Sequence, residues 1–77
     1  MASKKKLLEK FLSNPGGVHL RDLELILSHL GFEKIKAKGS HFKFKHPKGK
    51  RDFVIPVHNN ECKSFYKQLA AKVIKNL

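Results

Sequence analysis

Residues 32–45 read FEKIKAKGSHFKFK, and the fold turns on how this stretch is paired. Up to Phe32 the apolar residues recur at helical spacing. From here the period drops to two: Lys34, Lys36 and Lys38 alternate with Ile35 and Ala37, then His41, Lys43 and Lys45 alternate with Phe42 and Phe44. Two alternating runs around Gly39-Ser40 are a hairpin signal, with glycine where a turn needs positive φ. A two-residue turn sets Lys38 opposite His41, Lys36 opposite Lys43 and Lys34 opposite Lys45. Ala37 then faces Phe42, and Ile35 faces Phe44. One side of this ribbon is apolar, and the other carries five lysines and a histidine.

Helices are expected before and after the ribbon along the chain. Ser3 is a candidate N-cap for a helix over 3–13 with Leu7, Leu8, Phe11 and Leu12 on one side, ended by Asn14-Pro15-Gly16-Gly17. A second helix fits 20–30, where Leu20, Leu23, Ile26, Leu27 and Leu30 form a stripe and Gly31 stands just past the end. Pro47-Lys48-Gly49 is a turn, and Arg51 to Val57 reads as a third strand with Phe53, Ile55 and Val57 on its apolar side. His58 to Glu61 is loop. A last helix is expected from Ser64 as N-cap, through Phe65, Leu69, Ala70, Val73 and Leu77. The order predicts a single α+β domain over 1–77: a three-stranded antiparallel sheet with its helices on one face and the lysine side open.

Composition narrows the partners. Seventeen basic residues against six acidic ones give a net charge of +11 over 77 residues. Such a chain repels itself unless a polyanion is near. Lone Cys62 excludes an internal disulfide and suits a reducing cytosol. No apolar run reaches membrane-spanning length. Membrane-surface binding would favour a basic amphipathic helix, whereas these cations lie on strands. Like charges opposed across strands are destabilising, so the ribbon points to a site rather than to solubility, which needs charge but not one sign. Lys36, Lys38, Gly39, Ser40, Lys43 and Lys45 are the expected contacts, directed at the phosphates of a nucleic acid.

His41 shares the outer side with Lys38 and Lys43. A neutral imidazole can accept a proton from a ribose 2′-OH, and neighbouring lysines can stabilise charge on the phosphorane oxygens. RNA carries its own nucleophile, so a site needing no metal and no cofactor suffices. His46 and His58 have no acidic or cysteine partner at metal-site spacing. Cys62 beside Lys63 reads as a half-buried cysteine before it reads as a nucleophile.

RDLELILSHLGFEKIKAKGSHFKFKHPKG and FVIPVHNN together resemble the HicA toxins, small mRNA interferases of toxin–antitoxin systems. The resemblance rests on the helix, the Leu-Gly-Phe boundary, the Gly39-Ser40-His41 turn and the third strand with its following loop. It implies a fold like a double-stranded RNA-binding domain, His41 as the catalytic residue of an endoribonuclease acting on mRNA, and a HicB-type antitoxin that covers the site. Family members often carry Pro-Gly before the last helix, where this chain has Cys62-Lys63-Ser64-Phe65. The other reading of the same residues is a non-catalytic RNA-binding module.

Overall fold

A computed structural model describes residues 4–49 and 52–77, without the side chain of Lys4. The expected cap Ser3 and the strand start at Arg51 lie outside the described residues. Helix α1 (Lys4–Ser13) leads through a 3₁₀ turn (Pro15–Gly17) into α2 (Leu20–His29). Strands β1 (Glu33–Lys36), β2 (His41–Lys45) and β3 (Phe53–Pro56) follow, and α3 (Ser64–Lys75) closes the order. The sheet is antiparallel with β2 in the centre. This is the α+β architecture expected.

One core lies between the helices and the inner face of the sheet. α1 contributes Phe11, α2 Leu20, Leu23, Ile26 and Leu27, the strands Phe44, Phe53 and Ile55, and α3 Ala70, Ala71 and Ile74. Phe44 stacks on Phe53 with ring centroids 5.5 Å apart, and Phe32 meets Phe53 edge-on at 5.8 Å. Such pairs add to the value of their buried area.

α2 ends as its sequence foretells. Gly31 has φ +96°, Phe32 N–H donates to Leu27 O (2.9 Å), and Gly31 N–H donates to Ser28 O (3.1 Å). This paired pattern is the Schellman motif. His46, just past β2, locks it. Its Nε2 lies 2.8 Å from Leu30 O, and its Nδ1 accepts from Lys48 N–H (3.0 Å). A carbonyl only accepts, so Nε2 carries the proton. A Cβ on Gly31 would stand 3.2 Å from that same Nε2. Gly31→Ala should therefore cost about 1–2 kcal/mol for the left-handed backbone alone. Denaturant midpoints of the two proteins measure it, and equal midpoints would refute this account of the helix end.

The pairing of β1 differs from expectation. Gly39 (φ +68°) and Ser40 do form the turn, closed by His41 N–H to Lys38 O at 3.4 Å. Ala37 N–H, however, also donates to His41 O (2.9 Å). Two residues, Ala37 and Lys38, thus oppose one, which is a β-bulge. Beyond it every partner shifts by one: Lys36 pairs with Phe42, Ile35 with Lys43, Lys34 with Phe44 and Glu33 with Lys45. A shift of one exchanges the two faces of a strand. The lysines of β1 therefore share the pleat side of the phenylalanines, and Ile35 stands on the outer face, 37% exposed.

The shift has a physical cause on each side. Lys34 Nζ lies 4.4 Å from the centroid of the Phe42 ring and 2.9 Å from Glu24 of α2, so its charge is matched at the edge of the core. The expected lysine-to-lysine oppositions do not form. Glu33 faces Lys45 instead, and Lys43 Nζ lies 3.4 Å from Asp52.

α3 keeps part of the expected stripe, with Ala70 buried and Leu69 and Val73 packed against the core, and departs from it at the two ends. Ser64 is its first helical residue, and Lys63 holds the cap position. The buried residues are Lys67, Ala70, Ala71 and Ile74, while Phe65 is 65% exposed and Leu77 exposed. A lysine can lie in the core side because Glu61 meets it: Nζ to Oε1 is 2.7 Å. The same carboxylate accepts from Leu20 N–H (3.1 Å) and Cys62 N–H (3.0 Å). It thereby caps α2, whose own cap residue His19 makes no side-chain bond to the helix.

Candidate functional site

The outer face of the sheet holds His41, Lys43 and Lys45 from β2, Ile35 from β1, and Val54 and Pro56 from β3. No described element packs over it. Val54 is 40% exposed, and His41 and Lys45 are exposed. Among the predicted contacts, the structure brings Lys38, Gly39 and Ser40 next to His41 in one exposed turn. Lys43 stands two residues along on the same face, with Lys45 beyond it. Lys36 is exposed but belongs to the opposite side of the pleat, because of the bulge.

The bulge also aims the histidine. His41 Nδ1 lies 3.1 Å from Lys38 O, the carbonyl that already accepts the His41 backbone N–H. A carbonyl cannot donate, so in the neutral ring Nδ1 carries the hydrogen and Nε2 keeps its lone pair. Nε2 is then the atom that can take a proton from a bound group. The cation nearest in sequence on that face, Lys43, is partly engaged by Asp52, whose carboxylate lies 3.4 Å from its Nζ. His41 also sits directly across from Pro56 of β3, and Ser40 O accepts Val57 N–H (2.9 Å), which ties the turn to the third strand.

Other residues singled out in the sequence do structural work. His46 clamps the end of α2, and His19 Nδ1 lies 3.4 Å from Glu61. Burial pushes the Cys62 thiol above its ordinary value; Lys67 opposes this, and Glu61 and Glu24 reinforce it. A protonated, half-buried thiol is a poor nucleophile. Among the described residues no group of three or more His, Cys, Asp or Glu could hold a metal ion, and no helix is long and apolar enough to cross a membrane.

Sequence reasoning missed the importance of 58–61. His58 and Glu61 exchange both backbone hydrogen bonds (2.8 and 3.0 Å), with Asn59 at φ 53° and Asn60 at φ 62°. Two central residues at positive φ are the mark of a type I′ turn, and the Asn-Asn pair was the signal for it.

Residues 20–75 match the family described as the HicA toxin of bacterial toxin–antitoxin. Neither the curated proteins nor the solved structures returned a match. The matched stretch starts at the first residue of α2 and ends at the last residue of α3, leaving α1 outside it. With that span of a 77-residue chain matched, the protein belongs to the HicA toxin family of toxin–antitoxin systems.

Proposed function

We infer that the protein is an endoribonuclease of the cytoplasm that cleaves mRNA through His41, without a metal or other cofactor, and that a HicB-type antitoxin restrains it by covering the outer face. The observation that carries this reading is the hydrogen bond between His41 Nδ1 and the bulge carbonyl of Lys38, which leaves Nε2 free at the edge of a basic surface. Lys38, Lys43 and Lys45 would hold the backbone phosphates, with Gly39 and Ser40 allowing close approach of the strand; Lys36 would meet the RNA from the sheet edge. Nε2 takes the proton of a ribose 2′-OH. The oxygen attacks the adjacent phosphorus, and the lysines stabilise the charge that builds on the phosphorane oxygens.

Purified protein in the presence of EDTA should cut RNA and leave 2′,3′-cyclic phosphate ends, since attack by the 2′-oxygen requires them. A single 2′-deoxy residue at the cleavage position should block the cut. Binding should weaken steeply with salt, by a log–log slope of about 0.7 per neutralised phosphate on single strands. Salt-sensitive binding with intact RNA would leave a non-catalytic RNA-binding module as the correct reading.

A further inference from the structure

The cleavage reaction needs a proton at its other end. When the 2′-oxygen bonds to phosphorus, the bond to the 5′-oxygen breaks, and that oxygen leaves as an alkoxide unless it is protonated. We propose that His58 is the general acid that delivers this proton, so that a histidine at the start of β2 and one just past the end of β3 flank the scissile phosphate. This proposal rests on the ribonuclease reading above.

The placement follows from the register of β2 and β3. His41 pairs with Pro56, and Val57 N–H continues the ladder to Ser40 O. Phe53 and Ile55 are buried, and Val57 packs against the same core, so the alternation runs unbroken past the strand. Val54, Pro56 and His58 therefore share the outer face with His41. His58 is the diagonal neighbour of His41, at the ~7–8 Å typical of such positions in an antiparallel pair. Two imidazoles at that separation can reach opposite sides of one phosphate.

His58 is exposed, yet its backbone is held. The reciprocal bonds with Glu61 close a tight turn, and Glu61 is itself anchored on Leu20 N–H and Lys67. Beside it lies a depression of about 320 Å³ lined by Pro56, His58, Glu61, Cys62, Lys63 and Tyr66. That volume is at the lower end for small-ligand sites and suits one nucleotide unit rather than a duplex. The Tyr66 ring and the Lys63 ammonium are the groups there that a base and its phosphate would meet. The nucleotide on the 3′ side of the cut would thus sit against α3, with its 5′-oxygen toward His58.

The proton account balances. Neutral His41 gains the 2′-OH proton and becomes imidazolium. Protonated His58 gives one to the 5′-oxygen and becomes neutral. The P–O2′ bond forms as the P–O5′ bond breaks, and no further reactant is needed.

A substrate with sulfur in place of the bridging 5′-oxygen tests this, because a thiolate leaves without a proton. On ordinary RNA, His58→Ala should cut ~10²-fold more slowly than the parent. On the sulfur-bridged RNA it should cut at close to the parental rate, while His41→Ala should stay slow on both. Equal slowing of His58→Ala on the two substrates would assign His58 to binding or folding and overturn the proposal, as would no slowing on either. A parent protein that cuts neither substrate would defeat the ribonuclease reading itself, and the proposal with it.

Discussion

His41→Ala should lower the rate of RNA cleavage by ~10²-fold or more, the usual contribution of a positioned acid or base. The fold should be unaffected. His41 is exposed, and its backbone bonds to Ala37 and Lys38 do not depend on the side chain. RNA binding should survive too, because the phosphate contacts assigned to Lys38, Lys43 and Lys45 remain. Expressed without an antitoxin, the parent should halt growth and the variant should not. His41→Gln is the informative companion: it can keep a hydrogen bond to Lys38 O but cannot take up a proton, so it should be as slow as alanine. A His41→Ala protein that cleaves RNA at the parental rate would remove this residue from the chemistry.

The second large effect concerns stability. Glu61→Gln leaves Lys67, 5% exposed, with an ammonium that has lost its charge partner. Breaking a fully buried pair costs about 3–5 kcal/mol. The Glu61 side chain is 39% exposed, so water screens the pair, and about 2 kcal/mol is the expected loss at pH 7. The pH dependence carries a signature. Desolvation raises the Glu61 pKa, but the Lys67 hydrogen bond, the Cys62 N–H, the Lys67 charge and the Leu20 N–H together outweigh it and bring the carboxyl down to about 2. A group whose pKa is lower folded than unfolded stabilises the fold above its unfolded value, and loses that contribution as pH falls through the folded one. The gap between parent and Glu61→Gln should thus be widest above pH 4.5 and close toward pH 2. Urea unfolding at neutral and acid pH measures it. A gap of the same size at both would show that the charge on Glu61 is irrelevant.

The parts that could be read from the sequence are those decided by near neighbours. The stripe of α2, its stop at Gly31 and the packing of Phe32 are all set within a few residues, and all appear in the structure. The Gly39-Ser40 turn is also local, and so is the position of His41 beside it. The pairing of β1 was not readable. Whether Lys34 or Ile35 faces inward depends on Glu24 and Phe42, which come near only in the folded chain. The buried side of α3 was readable only in part, through Leu69, Ala70 and Val73, and for the same reason: a lysine at position 67 reads as solvent-facing until its partner Glu61, on a separate turn, is known. His58 was passed over because its relation to His41 exists only across the ladder of β2 and β3.

The bulge at Ala37–Lys38 gives this hairpin an unusual response to changes in length. Loss of a single codon there would leave one residue opposite His41: the bulge would go, while Lys36 stays across from Phe42, Ile35 from Lys43 and Lys34 from Phe44. Lys34 would keep Glu24 and Phe42, and neither side of β1 would change. What the deletion removes is the local kink and added twist that a bulge brings, at the turn that carries Lys38 and His41. An in-frame deletion in this turn is therefore a route by which selection could re-aim these two side chains while the charge map of the sheet, the helices and the remaining strands stay as they are.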